Sequence, residues 1–364
     1  MYYLLIYLFV NLVLSSQAIG LEFSQIQQGA DQGIAEDQYL LGNCYREGNG
    51  VPANMVTATY WYSKAAKQGH LEAENSLALC LMYGYGAVQN QSLGFDLLTD
   101  AAKKGLAKAC FNLANCYQNG MGHLKDIALA VYCYQIASEK EYSPAECNLG
   151  VLYLEGVGVN KNQNKAFLLF IKSAQQDELE AEYYLGYCFL NGFGTPVDYG
   201  KAVFWLTKSA NLGFAASQCC LGYCCFNGIG VSRDLSLAYQ WFKKSSDQGF
   251  ALGAYNLAYF YITGNIVPLS YVTAASLYKV AADSGDSDAQ VLLGILYLIG
   301  SGVEKNMPVS ISYFKKASEV GSSEADLILS FCYINAIGVP EDDIIATEYF
   351  KMARAEWLGV QRKM

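Results

Sequence analysis

Twelve cysteines, two histidines and a recurring Gly-x-Gly are the residues of this chain with the most reactive or ligand-holding chemistry. Cys219, Cys220, Cys224 and Cys225 crowd one stretch, yet only Cys220 and Cys224 are four apart, the spacing that puts two side chains on one helix face. A zinc ion needs four ligands converging from different backbone directions. His70 and His123 lie far from this cluster, in inter-helix segments. Six cysteines, at 44, 80, 116, 188, 224 and 332, occupy one recurring position. Neighbours in such a column are about 8–10 Å apart, whereas a disulfide needs Cα atoms within about 7 Å. They are expected to stay unbridged and to serve as small buried hydrophobes. GNGV from Gly48, GVGV from Gly156 and GFGT from Gly192 imitate phosphate loops. A dinucleotide site needs a strand before its glycines and a helix opening directly on them, and here helical patterns flank both sides. No acid–base–nucleophile spacing is present. Catalytic, cofactor-binding and metal-ligating residues are therefore expected to be none. Asn90-Gln91-Ser92 is a glycosylation sequon, but Asn90 is also placed to cap a helix, so its side chain is expected to be occupied.

Recognition chemistry is better supplied. Tyr187, Tyr223 and Tyr259 recur at 36-residue steps, and Asn43 and Asn115 share their register. Tyr183 and Tyr255 share a second register four residues earlier. Tyrosine offers a large rigid contact area with a polar tip, which suits protein recognition.

The elements that position these side chains are written in a repeat. Leu149–Val159 reads LGVLYLEGVGV, Leu185–Thr195 LGYCFLNGFGT, Leu221–Val231 LGYCCFNGIGV and Leu293–Val303 LGILYLIGSGV. Leu41, Leu77, Leu113, Leu149, Leu185, Leu221, Leu257, Leu293 and Leu329 mark a strict 36-residue period, the signature of a stacked array. Ala145, Leu149 and Tyr153 are spaced by four and share a helix face. The position after each leading leucine is always small, as at Gly42, Gly150, Gly222 and Gly294, which lets a partner helix approach closely. Glycines such as Gly48 and Gly156 end the first helix. Asn54, Asn90, Asp126, Asn162, Asp198, Asp234, Ser270, Asn306 and Asp342 cap the second. Two turns depart from the pattern: Ile266 replaces the second glycine of the seventh unit and Ala336 the first glycine of the ninth, so both are expected to differ in shape. The reading is 1–18 as a leader, 19–36 as a partial repeat with a helix over Leu21–Gln32, nine units (37–72, 73–108, 109–144, 145–180, 181–216, 217–252, 253–288, 289–324 and 325–360), and a tail, 361–364.

A small residue, then Leu-Gly-x2-Tyr-x2-Gly-x-Gly-Val, an Asx cap, an aromatic pair and Lys-Ala-Ala before a closing glycine resembles the Sel-one-like repeat family, cousins of the tetratricopeptide repeat. The resemblance covers about residues 21–356. It implies an all-α fold, a right-handed α/α superhelix, and a non-enzymatic scaffold or adaptor that holds a protein or peptide in its concave face. By the same analogy the first helices line that face, with Tyr183, Tyr187, Tyr223, Tyr255, Tyr259, Asn43 and Asn115 as partner-binding candidates. Cysteine-rich relatives staple their helices with two cysteines per unit. That framework is missing here, since Ala102, Ser138 and Ala210 stand where partners would be needed.

Bulk properties agree with a folded array. Apolar residues make up 53% and charged residues 16%, which opposes disorder. The net charge of −9 without a basic run opposes nucleic acid. Met1–Ala18 holds an apolar run, Leu4–Leu14, and a small-x-small site, Ser16-Gln17-Ala18; it resembles a secretory signal peptide, although a positive n-region is missing. The expectation is export to a periplasm, the extracellular space or the endoplasmic reticulum lumen, with no membrane span in the mature chain; the alternative is a cytoplasmic protein whose first helix caps the array. Two other functional readings stay open, a regulator of a cell-envelope enzyme and a structural spacer. The first would be favoured by a carboxylate-lined pocket, and the acidic residues look scattered in sequence.

Overall fold

The computed structural model describes residues 23–357; the expected leader, residues 19–22 of the partial repeat, residues 358–360 of the ninth unit and the tail lie outside the described residues. Helix α1 covers 23–31, ending at the left-handed Gly33. Nine helix pairs follow: α2 (Ala35–Glu47) with α3 (Met55–Ala66), α4 (Leu71–Tyr83) with α5 (Gln91–Lys103), α6 (Ala107–Asn119) with α7 (Ile127–Glu139), and α8 (Ser143–Glu155) with α9 (Gln163–Ala174). A second set comprises α10 (Leu179–Asn191) with α11 (Tyr199–Asn211), α12 (Ala215–Asn227) with α13 (Leu235–Asp247), α14 (Ala251–Thr263) with α15 (Tyr271–Asp283), α16 (Ser287–Ile299) with α17 (Met307–Glu319), and α18 (Ser323–Ile334) with α19 (Asp343–Trp357). Among the described residues there are no strands. The chain divides into two compact units, one ending at Glu178 and the other beginning at Leu179. Each is an all-α solenoid in which every helix packs on its neighbours in sequence, and in the second α12 also touches α14, so first helices of consecutive repeats lie side by side.

The helix ends follow from local chemistry. All nine second helices start at the expected Asn, Asp or Ser: Asn54 accepts from the Thr57 amide at 3.1 Å, Asp198 from Lys201 at 3.0 Å and Asp342 from Ile345 at 2.9 Å. Asn90 is occupied in the same way by the Leu93 amide. First helices close on a left-handed glycine, such as Gly156 at φ 80°. The ninth turn differs in shape as expected: α18 ends at Ile334, one residue earlier than its counterparts, with Asn335 at φ −106°. Ala336 adopts φ 53° despite its Cβ, so the left-handed conformation survives without the glycine, whereas Ile266 does not enter that region. Second helices also end on a left-handed residue every 36 positions, and in two units that residue is Glu141 (φ 58°) or Asp177 (φ 57°) rather than glycine.

The core is built on the small column. A Cβ on Gly150 would stand 2.6 Å from the ring of Phe170, one on Gly294 2.6 Å from Phe314, and one on Gly42 2.6 Å from Tyr62. Each ring belongs to the second helix of the same repeat and is fully buried. Burying a ring of this size contributes about 1.5–3 kcal/mol, and the glycine is what admits it. Between repeats, a recurring polar position closes the end of the preceding second helix: Gln38 donates to the Ala30 carbonyl at 3.2 Å, Gln218 to Ala210 at 3.1 Å and Gln290 to Ala282 at 3.2 Å. The same carbonyls accept from the amides of Gly33, Gly213 and Gly285, so the glutamine from the next repeat is a second donor. Ser173, Ser209 and Ser245, all fully buried, tie each second helix to the start of its own first helix through Ser143, Leu179 and Ala215 carbonyls at 2.8–2.9 Å.

Two substitutions of opposite sign check this account. Gly150→Leu displaces the Phe170 ring and is expected to destabilise by about 1–3 kcal/mol. Glu141→Gly removes a strained left-handed side chain and is expected to stabilise by about 1 kcal/mol. Chemical denaturation of each variant beside the parent reads both; a neutral Gly150→Leu would remove the glycine column from its role.

Candidate functional site

The residues best suited to metal or acid–base chemistry are absorbed by the scaffold. His70 caps α4, its Nδ1 accepting from the Ala73 amide at 3.1 Å while its Nε2 lies 2.9 Å from Glu36 and its ring lies on Tyr39. His123 lies against Phe95, its rings 5.1 Å apart. Among the described residues no three of His, Cys, Asp and Glu converge as a metal site. Most of the twelve cysteines are buried. Burial pushes the Cys188 and Cys224 thiols up to about 12 and Cys220 up to about 11. Such thiols are poor nucleophiles.

The acids that look scattered in sequence fall into register once folded. Glu74, Glu146, Glu182 and Asp326 occupy the position held elsewhere by Gln38, Gln218 and Gln290, and all are buried. Each faces a specific partner: Lys104 reaches Glu74 at 2.8 Å, Gln176 donates to Glu146 at 3.1 Å, Lys208 reaches Glu182 at 2.7 Å and Ser318 donates to Asp326. They line helix contacts rather than an open pocket.

The tyrosine candidates separate into groups. In the unit from Leu179, two hollows lie along the first helices. One, of about 430 Å³, is lined by Tyr187 and Leu190 of α10, Cys220 and Tyr223 of α12, and Leu252 of α14. The other, of about 390 Å³, is lined by Tyr223 and Phe226 of α12, Tyr255 and Tyr259 of α14, and Leu292 of α16, with Phe242 and Tyr278 from second helices also lining it. Tyr223 and Asn256 belong to both. The second hollow is the first moved on by one repeat, with Phe226 in place of Leu190 and Tyr255 in place of Cys219. Tyr223 is 52% exposed and Tyr259 41%, so both leave ring surface open. Tyr183 is instead half-buried among Tyr184, Tyr187 and Phe214, and burial raises its hydroxyl pKa. It supports the wall.

Asn43 and Asn115 lie in the other unit, away from these hollows. They accept from the hydroxyls of Tyr62 (2.8 Å for Asn43) and Tyr134, rings buried under the first helices. Their side chains position the core. Asn256, Phe226 and Leu252 are hollow residues that the tyrosine registers alone did not mark; stepping every first-helix position by 36 finds them. The opposite helices also expose apolar side chains, Tyr60, Tyr132, Leu168 and Phe204. None of these lines either hollow.

With this geometry in hand, comparison with known proteins is specific. The sequence matches the family described as Sel1 repeat at nine successive segments, 35–70, 71–106, 107–142, 143–178, 179–214, 215–250, 251–286, 287–322 and 323–356. Those segments begin on the first helices, two residues ahead of the units read from the leucine period. A comparison with curated proteins gives no match. Among solved structures, c5321, a protective antigen of uropathogenic Escherichia coli strains with an SLR fold, is similar at 24% identity and a TM-score of 0.56, covering 94% of this chain and 87% of that one. A Sel1 repeat protein from Oxalobacter formigenes is similar at 24% identity and a TM-score of 0.58, covering 85% and 89%. These likenesses concern the fold.

Thiol chemistry tests the burial assigned here. Iodoacetamide at pH 8 is expected to label Cys188 and Cys224 at least about a hundredfold more slowly in the folded chain than in the unfolded one. The folded state holds these protons above the ordinary thiol pKa of 9.0, so stability is expected to fall as pH rises past that value. Equal labelling rates in the two states would contradict it.

Proposed function

The chain belongs to the Sel1 repeat family, whose members generally mediate protein–protein interactions, and from that premise we propose that it is a non-enzymatic scaffold whose first-helix face holds a protein or peptide segment. The observation that carries this is the pair of adjoining hollows sharing Tyr223 and Asn256. Exposed aromatic rings beside apolar recesses are the kind of surface on which binding energy concentrates. The recesses sit on rigid helices, so little ordering entropy is lost when a partner docks. The carboxylate register supports this reading over that of an envelope-enzyme regulator with a polar pocket, because its acids are engaged within the helix contacts. A spacer would have no use for open hollows. The reading extends to export through Met1–Ala18, which N-terminal sequencing of the mature protein near Ile19 tests.

A photo-crosslinking residue placed at Tyr223 is expected to trap a defined partner that the same residue at Phe204, exposed on α11, does not. Tyr223→Ala with Tyr259→Ala is expected to abolish that trapping by a crosslinker at Tyr187 while leaving helicity and melting temperature nearly unchanged. The same adduct from both faces, or capture indifferent to the double substitution, would move the binding face elsewhere.

A further inference from the structure

The two hollows have the same backbone and different chemistry. The first sets three aliphatic side chains, Leu190, Ile229 and Leu252, among Tyr187, Tyr199 and Tyr223. In the second, Phe226, Tyr255 and Tyr259 join Tyr223, with Phe242 and Tyr278 alongside. Aromatic rings carry a negative face, so a recess lined by this many of them is a chemistry that suits a cation. The flank has the matching sign. Leu252 of the first hollow is replaced one repeat later by Asp288, which is exposed at the start of α16. Partial burial, then the fields of Asp286 and Glu324, hold the Asp288 carboxyl above the usual carboxylate range. Asp288 stands one turn before Leu292 on α16, on the face from which Leu292 lines the recess; burial, then the fields of Asp288 and Asp286, also raise the pKa of the Tyr255 hydroxyl. Among the described residues no lysine or arginine forms an ion pair with Asp286, Asp288 or Glu324.

We propose that the second hollow takes a cationic side chain, an arginine before a lysine, from an extended peptide whose neighbouring apolar side chain fills the first hollow. The inference rests on the reading of this face as a peptide-binding face and adds the chemistry of the peptide. Arginine fits better than lysine because its planar guanidinium stacks on aromatic faces while its N–H groups reach a carboxylate. The two hollows are one repeat apart, a helix-to-helix spacing of about 8–10 Å. An extended chain advances about 3.3 Å per residue, so the apolar and cationic side chains stand about three residues apart. Side chains that alternate faces along a strand must then twist locally to point the same way, which a chain without sheet partners does freely.

Short glycine–serine peptides carrying one leucine and one arginine, with the separation varied, are to be tested on the full chain by fluorescence anisotropy. Affinity is expected to peak at a separation of about three residues and to drop about tenfold when norleucine replaces the arginine. Asp288→Asn, a surface change whose folding is verified by circular dichroism, is expected to weaken the arginine peptide several-fold and to leave the norleucine peptide unaffected. Equal affinities for arginine and norleucine peptides, both lost in Tyr223→Ala with Tyr259→Ala, would overturn the cation site and keep the peptide-binding face. Failure of every peptide to bind, or binding indifferent to that double substitution, would overturn both.

Discussion

The contact between a backbone without a side chain and a buried ring sets the geometry of this protein. In each of several repeats a first-helix glycine lies against the ring of its partner helix, Gly150 against Phe170 and Gly294 against Phe314, at distances that leave no room for a Cβ. Glycine costs about 1 kcal/mol inside a helix relative to alanine. The buried ring offsets that cost only if the two helices lie close, so the pair is held at a short and uniform separation. A uniform pair is what a 36-residue period needs in order to stack without error.

A second constraint acts between pairs. The last carbonyls of a helix lack an intrahelical donor, and those of Ala30, Ala210 and Ala282 are met by the amides of Gly33, Gly213 and Gly285. Gln38, Gln218 and Gln290 add a second donor to each from the next repeat. Where the same position is Glu74, Glu146, Glu182 or Asp326, the acid is met by a lysine, glutamine or serine instead. Buried ion pairs contribute little net stability, since desolvation offsets much of the attraction. Their effect here is better described as fixing which surfaces meet.

With the core and helix ends committed in this way, the outward positions of the first helices are free to vary. The column that holds Asn43 and Asn115 in one unit holds Tyr187, Tyr223 and Tyr259 in the other. The asparagines turn inward to a tyrosine hydroxyl from the second helix. Tyr223 and Tyr259 keep much of their ring surface open. One scaffold position thus supports the core in one unit and leaves open ring surface in the other.

Much of the architecture was legible in the chain because helix pairs depend on local chemistry. The leucine period, the small column, the Asx caps and the turn glycines each act within one or two turns of helix, and they appear where the residues put them. The resemblance to the Sel-one-like repeats rested on those same positions. What the sequence could not decide depends on neighbours. Ala336 takes a left-handed conformation that its own side chain disfavours, in the turn where the other first helices close on glycine. The acids of the buried register look scattered until stacking aligns them. Equal registers do not mean equal exposure: Tyr183 is packed into the wall, Tyr223 stays open, and Asn115 faces inward, according to which ring the next helix places against each. A period can be read from one chain in isolation, but the direction in which a side chain finds room is settled only when helices far apart in sequence share the same space.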